Sequence, residues 1–350
     1  MIGKEKNGGV ATRAALPSAG PISEYVGRML RTSPGRFSAE PGEAAAVVGD
    51  LVEAVAEPAV DDDLQLGLYL CFETAYRSFP RVDRDWEWSP ALVAVRAVLE
   101  KAFLDIVESE LGPTDPVSPD RVGDLLFRLE AADDGVSLSR HLELDSGIDE
   151  FREFVVHRSL YQLKEADPHS WAIPRLSGAA KAALIEVQAD EYGGGRPERM
   201  HSRLFAQTMA ALGLDNRENA YLELIPGPTL ASVNLMSAVG LRGARRGAIV
   251  GHLAMFEMTS AGPNHRYGNA LRRFGHGVET TDFYDEHVEA DAMHENIAAY
   301  DLAGGLAREE PEVVDDIVFG ARALLHVEDR FARHLLASWE QGETSLRRPL

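Results

Sequence analysis

The sequence predicts an all-α protein, a helical bundle with an N-terminal helical extension, on three observations. Apolar residues recur at three- and four-residue spacing along most of the chain. Runs that alternate apolar and polar residues are scarce, and no strand–helix alternation suggests a parallel sheet. The segments between Pro- and Gly-marked breaks are rich in Ala, Leu and Glu, which lose little side-chain freedom in a helix.

Taken in order, residues 1–40 carry no sustained periodicity and are rich in Gly, Ala and Pro, so a mobile tail is expected there. Residues 41–350 read as a single helical domain, divided into an extension over 41–115 and a core over 118–342. In the extension, "EAAAVVGDLVEAVAE" (43–57), "DLQLGLYLCFETAYRSF" (63–79) and "SPALVAVRAVLEKAFLDIVESELG" (89–112) read as helices. The last opens with Ser89 as cap and Pro90 at the first helical position, and closes at Gly112-Pro113. The Asp- and Pro-rich segment 112–120 is a loop. Helices are then expected over 118–133, 147–168, 177–192, 197–214, 228–241, 245–262, 264–275, through the stretch 284–300, and over 310–342.

The chain has 350 residues, 45% hydrophobic and 26% charged, an ordinary globular composition with room for a large core. Its formal net charge of −21 repels phosphate backbones and anionic lipid, which argues against nucleic acid and membrane surfaces as partners. No apolar run reaches the length of a membrane span, the N-terminus lacks the apolar stretch of a signal peptide, and the single cysteine, Cys71, lies in an apolar run. A cytoplasmic protein is expected, with Cys71 a small core residue.

The chemistry concentrates in "YDEHVEADAMHENIAAY" (284–300), where His287, Asp291 and His294 share one helical stripe. Core residues normally occupy such a stripe, and a buried carboxylate needs a partner or a proton. Two readings stay open from these residues alone: a metal-binding face, or a solvated acidic helix that also carries Glu286, Glu289 and Glu295. Glu257 sits in the apolar "AMFEMTS", and "EVQADEYGGGRPERMHSRLF" offers Glu186, Asp190, Glu191, Glu198 and His201 around a Gly-Gly-Gly break. Carboxylates and imidazoles projected inward from separate bundle helices suit iron or manganese more than structural zinc.

The segment 165–205, Glu257 in "MFEMTS" and "HVEADAMH" (287–294) together resemble the heme-oxygenase-like di-iron oxidases and oxygenases, also described as iron-containing redox enzymes. The resemblance covers about residues 150–300. It implies a heme-oxygenase-like helical bundle that holds two ferrous ions in place of heme. The ligands it implies are Glu191, His201, Glu257, His287, Asp291 and His294. Glu198, three residues before His201, competes with Glu191, which is favoured. Glu165 in "KEADP" matches an extra carboxylate of the N-oxygenating members and is a candidate further ligand.

The activity so implied is dioxygen-dependent N-oxygenation of a small amine, guanidine or amino-heterocycle in specialised metabolism, through a peroxo-diferric species. Electrons would come from an external donor, and a homodimer is a reasonable expectation. The alternatives are oxidative decarboxylation or C–C cleavage of an amino or fatty acid, or an iron-binding helical protein without turnover. Residues outside this set have ordinary explanations. Met255, Phe256 and Met258 read as core that also lines a pocket, His252 as structural, and His265 and His276 as surface or loop; Arg266, Arg272 and Arg273 read as a solvated basic face, which is favoured, or as a bidentate hold on a substrate carboxylate.

Overall fold

A computed structural model of the chain describes residues 16–350, with the backbone alone for 289–293. The described residues form α-helices joined by short 3₁₀ turns, with no β-strand among them. Helix α1 (Pro21–Leu30) precedes the extension, along which run α2 (Pro41–Val52), α3 (Asp62–Glu73) and α4 (Pro90–Leu111). The core holds α5 (Val122–Ala131), α6 (Leu138–Leu144), α7 (Ile148–Gln162), α8 (Asp167–Ser170), α9 (Gly178–Glu191) and α10 (His201–Ala211). It continues with α11 (Gly227–Gly240), α12 (Arg246–Arg273), α13 (Val278–Asn296), α14 (Gly304–Glu309) and α15 (Val314–Glu340). A π-helical turn, Ile297–Ala303, links α13 to α14. No helix among the described residues is long and apolar enough to cross a membrane.

Two sequence expectations are corrected here. Residues 16–40 are not a tail: α1 buries Ile22, Val26, Met29 and Leu30, an i, i+4, i+7, i+8 stripe. Its N-terminus is held by tertiary structure, since the Asp63 carboxylate of α3 accepts from Ile22 N at 2.7 Å and Ser23 N at 2.8 Å. A short helix preceded by glycine gives little local signal, and the cap arrives from forty residues away. The remaining expected tail, residues 1–15, lies outside the described residues.

The second correction concerns the helices expected over 245–262 and 264–275, which are one 28-residue helix, α12, running through Pro263. Proline removes a single backbone donor, and Gly262 before it presents no side chain to crowd the ring. Packing of α12 against α13 and α15 outweighs that loss.

The α12–α15 contact is close because glycines face backbone on both sides. A Cβ on Gly251 would lie 1.9 Å from the Ile317 carbonyl oxygen, and one on Gly320 would lie 1.9 Å from that of Ala248. Helix α12 also packs against α13, and α13 against α10, so α12 touches both α15 and a helix that carries expected ligands.

Candidate metal centre

Glu191, His201, Glu257, His287 and His294 are delivered by the buried faces of their helices. On α9 the buried positions are Ala180, Ala183, Leu184, Val187, Gln188 and Glu191, so Glu191 ends a core stripe. On α10 His201 heads the stripe that continues through Leu204, Phe205, Thr208 and Met209. Helix α13 buries Thr280, Thr281, Phe283, Tyr284, His287 and His294, and α12 buries Glu257 beside Ala254 and Met258.

The break between α9 and α10 decides how Glu191 meets His201. Gly193, Gly194 and Gly195 take φ of +67°, +60° and +79°, the left-handed region that side chains avoid. At Gly193 the turn is also tight, since a Cβ there would lie 2.6 Å from the backbone carbon of Arg199. The chain reverses, and His201 Nδ1 comes 3.0 Å from Glu191 Oε2. Glu198 points away and is exposed, so the structure leaves it outside the cluster.

Glu165 comes from the corner between α7 and α8, where Ala166 takes φ of +73°, a strained value for a residue with a side chain. Its neighbour Lys164 is buried and ion-paired with Glu73 of α3, with its ammonium 4.9 Å from the Tyr69 ring and 4.6 Å from the Tyr76 ring. The extension thereby holds the corner that presents Glu165.

Two groups of donor atoms result, each with its atoms within 4.8 Å of one another: Glu165, Glu191, His201 and His287, and Glu191, Glu257 and His294. Glu191 belongs to both, which places one carboxylate between two potential cation positions. The side chain of Asp291 lies outside the described residues, although its backbone belongs to α13.

Buried atoms in the first group lack ordinary partners. Glu165 Oε2, Glu191 Oε2 and His201 Nδ1 make no hydrogen bond among the described residues, although the last two are in contact. Leaving such atoms dry is costly, and a cation coordinated by them removes the penalty. His287 donates from Nδ1 to the Phe283 carbonyl at 2.7 Å, which fixes the tautomer and turns the Nε2 lone pair toward Glu165 Oε1, 3.6 Å away. This oxygen- and imidazole-rich donor set, without thiolate, fits iron.

Without a cation the cluster is held by proton sharing. Burial opposes ionisation of Glu191, but His201, His287 and His294 outweigh it and hold the carboxyl at about 2. Burial dominates at Glu165 and raises its pKa, with His287 opposing. At His294 burial favours the neutral ring, yet Glu257 and Asp190 raise its pKa to about 9. Its Nδ1 lies 3.3 Å from Glu257 Oε2 and its Nε2 lies 3.0 Å from Asp190 Oδ2. The sequence named Asp190 only as a carboxylate of α9; its meeting with His294 needs the α9–α13 packing.

Beside the cluster lies a cavity of about 10 Å³, bounded by Glu191, Glu257, His287 and the buried polar residues Gln188 and His169. It shares Tyr161, Phe256 and Ser260 with a larger cavity of about 350 Å³ between α7, α12 and α15. Charged groups line the larger cavity. Arg158 makes two hydrogen bonds to Glu328, at 3.1 and 2.7 Å, and Arg266 of the supposed solvated face reaches this wall and donates to Ser139 Oγ. His252 is buried, in accord with a structural place, but hydrogen-bonds His169.

Residues 152–329 match the family described as iron-containing redox enzyme, and all the candidate ligands fall inside that span. Over 172 residues the chain is 28% identical to nitrosourea synthase of Streptomyces achromogenes subsp. streptozoticus, which covers 48% of this chain and 36% of that protein. The match therefore spans little more than a third of the relative's length.

Proposed function

Because this chain belongs to the family of iron-containing redox enzymes and has a heme-oxygenase-like helical fold, we propose that it is a dioxygen-dependent, non-heme di-iron oxygenase acting on the nitrogen of a small amine, guanidine or amino-heterocycle. The observation that carries this reading is the sharing of Glu191 between two buried donor groups. Glu165, Glu191, His201 and His287 would hold one ferrous ion, and Glu191, Glu257 and His294 the other. The two ions would supply the reducing equivalents that activate dioxygen.

The protein's own part is to orient and to exclude water. Tyr161, Phe256 and Ser260 form the wall between the larger cavity and the cluster, so a substrate in that cavity would present its reacting end there. The space that adjoins Glu191, Glu257 and His287 is about the size of one water, too small to admit bulk solvent.

Nitrogen oxidation is favoured over cleavage of a fatty acid by the larger cavity's walls. Arg158, Glu328, Arg266 and Asp329 line it, and an aliphatic chain seated there would cover charged groups without bonding them. Glu165, the carboxylate that the resemblance associates with N-oxygenating members, also lies against His287. The distant likeness to nitrosourea synthase supports the same choice. Since inserting one oxygen atom from dioxygen and reducing the other to water takes two electrons beyond those of the substrate, an external reductant is implied.

The test is anaerobic loading with ferrous iron, counting of bound iron, and exposure to oxygen with candidate amines, amino acids and fatty acids. N-hydroxy, nitroso or nitro products support the proposal. Terminal alkenes or shortened acids would transfer it to C–C cleavage, and loading below about one iron per chain, unchanged in His287→Ala, would sink the site.

A further inference from the structure

Three fully buried histidines remain outside the ligand groups: His157, His169 and His252. His169 borders the water-sized cavity that touches Glu191, Glu257 and His287. Its Nε2 lies 3.0 Å from Nδ1 of His252. His252 in turn borders a second cavity of about 10 Å³, together with His157 and Thr229. The Thr229 hydroxyl lies 2.7 Å from His157 Nδ1, and His157 Nε2 lies 3.0 Å from Ser345 Oγ. Ser345 Oγ donates to Glu153 Oε2 at 2.6 Å, and Glu153 is only half-buried on the first turns of α7.

We propose that Glu153, Ser345, His157, Thr229, His252 and His169 form a proton relay from the surface to the cavity beside the metal cluster. The two gaps in the chain, between Thr229 and His252 and between His169 and the cluster, are each the size of one water, and each is lined by polar groups able to bond it. A neutral imidazole carries one donor and one acceptor nitrogen, so it can receive a proton on one side as it releases one on the other. Burial keeps these rings neutral: it lowers the pKa of His157 and His252 well below the usual histidine value, and that of His169 to about 4.

The proposal rests on the oxygenase reading for its purpose. Converting an amine R–NH2 to R–NHOH with dioxygen takes up two electrons and two protons and releases one water. The electrons come from an external reductant; the protons must reach buried ligands, and the chain of histidines would serve the α7–α12 side of the cluster, opposite His294, which meets the exposed Asp190. Ser345, beyond the span of the resemblance, links His157 to Glu153 at the outer end of the chain.

The relay is tested first without metal. In protein labelled with isotopic histidine, exchange of the His169 imidazole proton with water is measured by nuclear magnetic resonance in wild type, His252→Phe and His252→Gln. Glutamine keeps a hydrogen-bonding group beside His169 but does not pass a proton. Exchange about tenfold slower in both variants is expected, since only local opening then delivers solvent. Unchanged exchange in His252→Gln, with a wild-type melting temperature, overturns the relay. A second arm follows proton uptake with an indicator dye when ferrous-loaded protein meets oxygen. Uptake about tenfold slower in His252→Gln, at unchanged iron content, is expected; equal rates overturn a role in delivery. If the protein takes up no iron, the oxygenase reading fails while the exchange arm still decides the relay.

Discussion

Replacing Gly193 by alanine should damage the metal site through the backbone alone. Gly193 takes φ of +67°, so a side chain there costs about 1–2 kcal/mol in left-handed strain. The new Cβ would also sit 2.6 Å from the Arg199 carbonyl carbon and 2.7 Å from Met200 N, where backbone must give way. Overpacking of that kind adds about 1–3 kcal/mol, for a total of about 2–5 kcal/mol. At roughly 2.1 cal/mol/K of unfolding entropy per residue, this 350-residue chain shifts by about 1.4 °C per kcal/mol. The melting temperature should fall by about 3–7 °C. Because Met200 immediately precedes His201, relief of the clash moves the imidazole away from Glu191, and ferrous loading should drop by about one ion per chain. Gly194→Ala is the internal control, with φ of +60° but nothing within 4 Å of its Cβ, so only the strain of about 1–2 kcal/mol applies. Scanning calorimetry and iron counting on both variants settle the matter. Equal melting and equal loading in the two would refute the argument that the tight turn at Gly193 places His201.

Gly251→Ala should be among the most destabilising single-methyl changes in the chain, by about 3 kcal/mol or more, because its Cβ meets the Ile317 carbonyl between two long helices; a denaturant midpoint within error of wild type would contradict the close crossing. Lys164→Met should strand the buried Glu73 carboxylate at a cost of about 3–5 kcal/mol, while the double change with Glu73→Leu recovers much of it; additive losses in the double-variant cycle would show no coupling. Acid should weaken the protein through His157, His169 and His252. Their folded pKa values lie below the unfolded value near 6.5, so the unfolded state binds more protons and stability falls as pH drops from 6.5 toward 4. His169 alone, at about 4, accounts for about 2 kcal/mol at pH 5, and His169→Gln should flatten that part of the profile. His294 has the opposite sign. Its pKa is raised to about 9, so its contribution to the metal-free protein is complete below 6.5 and lost as pH rises through 9, and iron binding should release a proton below pH 9; titration calorimetry in buffers of different ionisation enthalpy reads that proton directly.

Much of the molecule was legible before folding because helical periodicity is local. The stripes that end in Glu191, open with His201 and run through His287 and His294 can be read at three- and four-residue spacing, and a polar residue on such a stripe asks for a partner. Boundaries were less legible. Pro263 looks like a helix break, yet packing against α13 and α15 carries α12 through it, and α1 looks like tail until Asp63 supplies its cap. The choice between Glu191 and Glu198 also lay beyond spacing, since Glu198 stands at the ferritin-like offset from His201 and only the left-handed turn turns it outward.

The sequence by itself determined the all-α class and the chemistry of the donors, because residue type and helical period are properties of neighbours along the chain. The tertiary structure decided which donors meet. It made Glu191 common to two groups, set Glu165 against His287 through a corner braced by Lys164 and Glu73, and joined His169 to His252. Those contacts link helices far apart in sequence, and burial then sets the charge of each group, so neither can be read from periodicity.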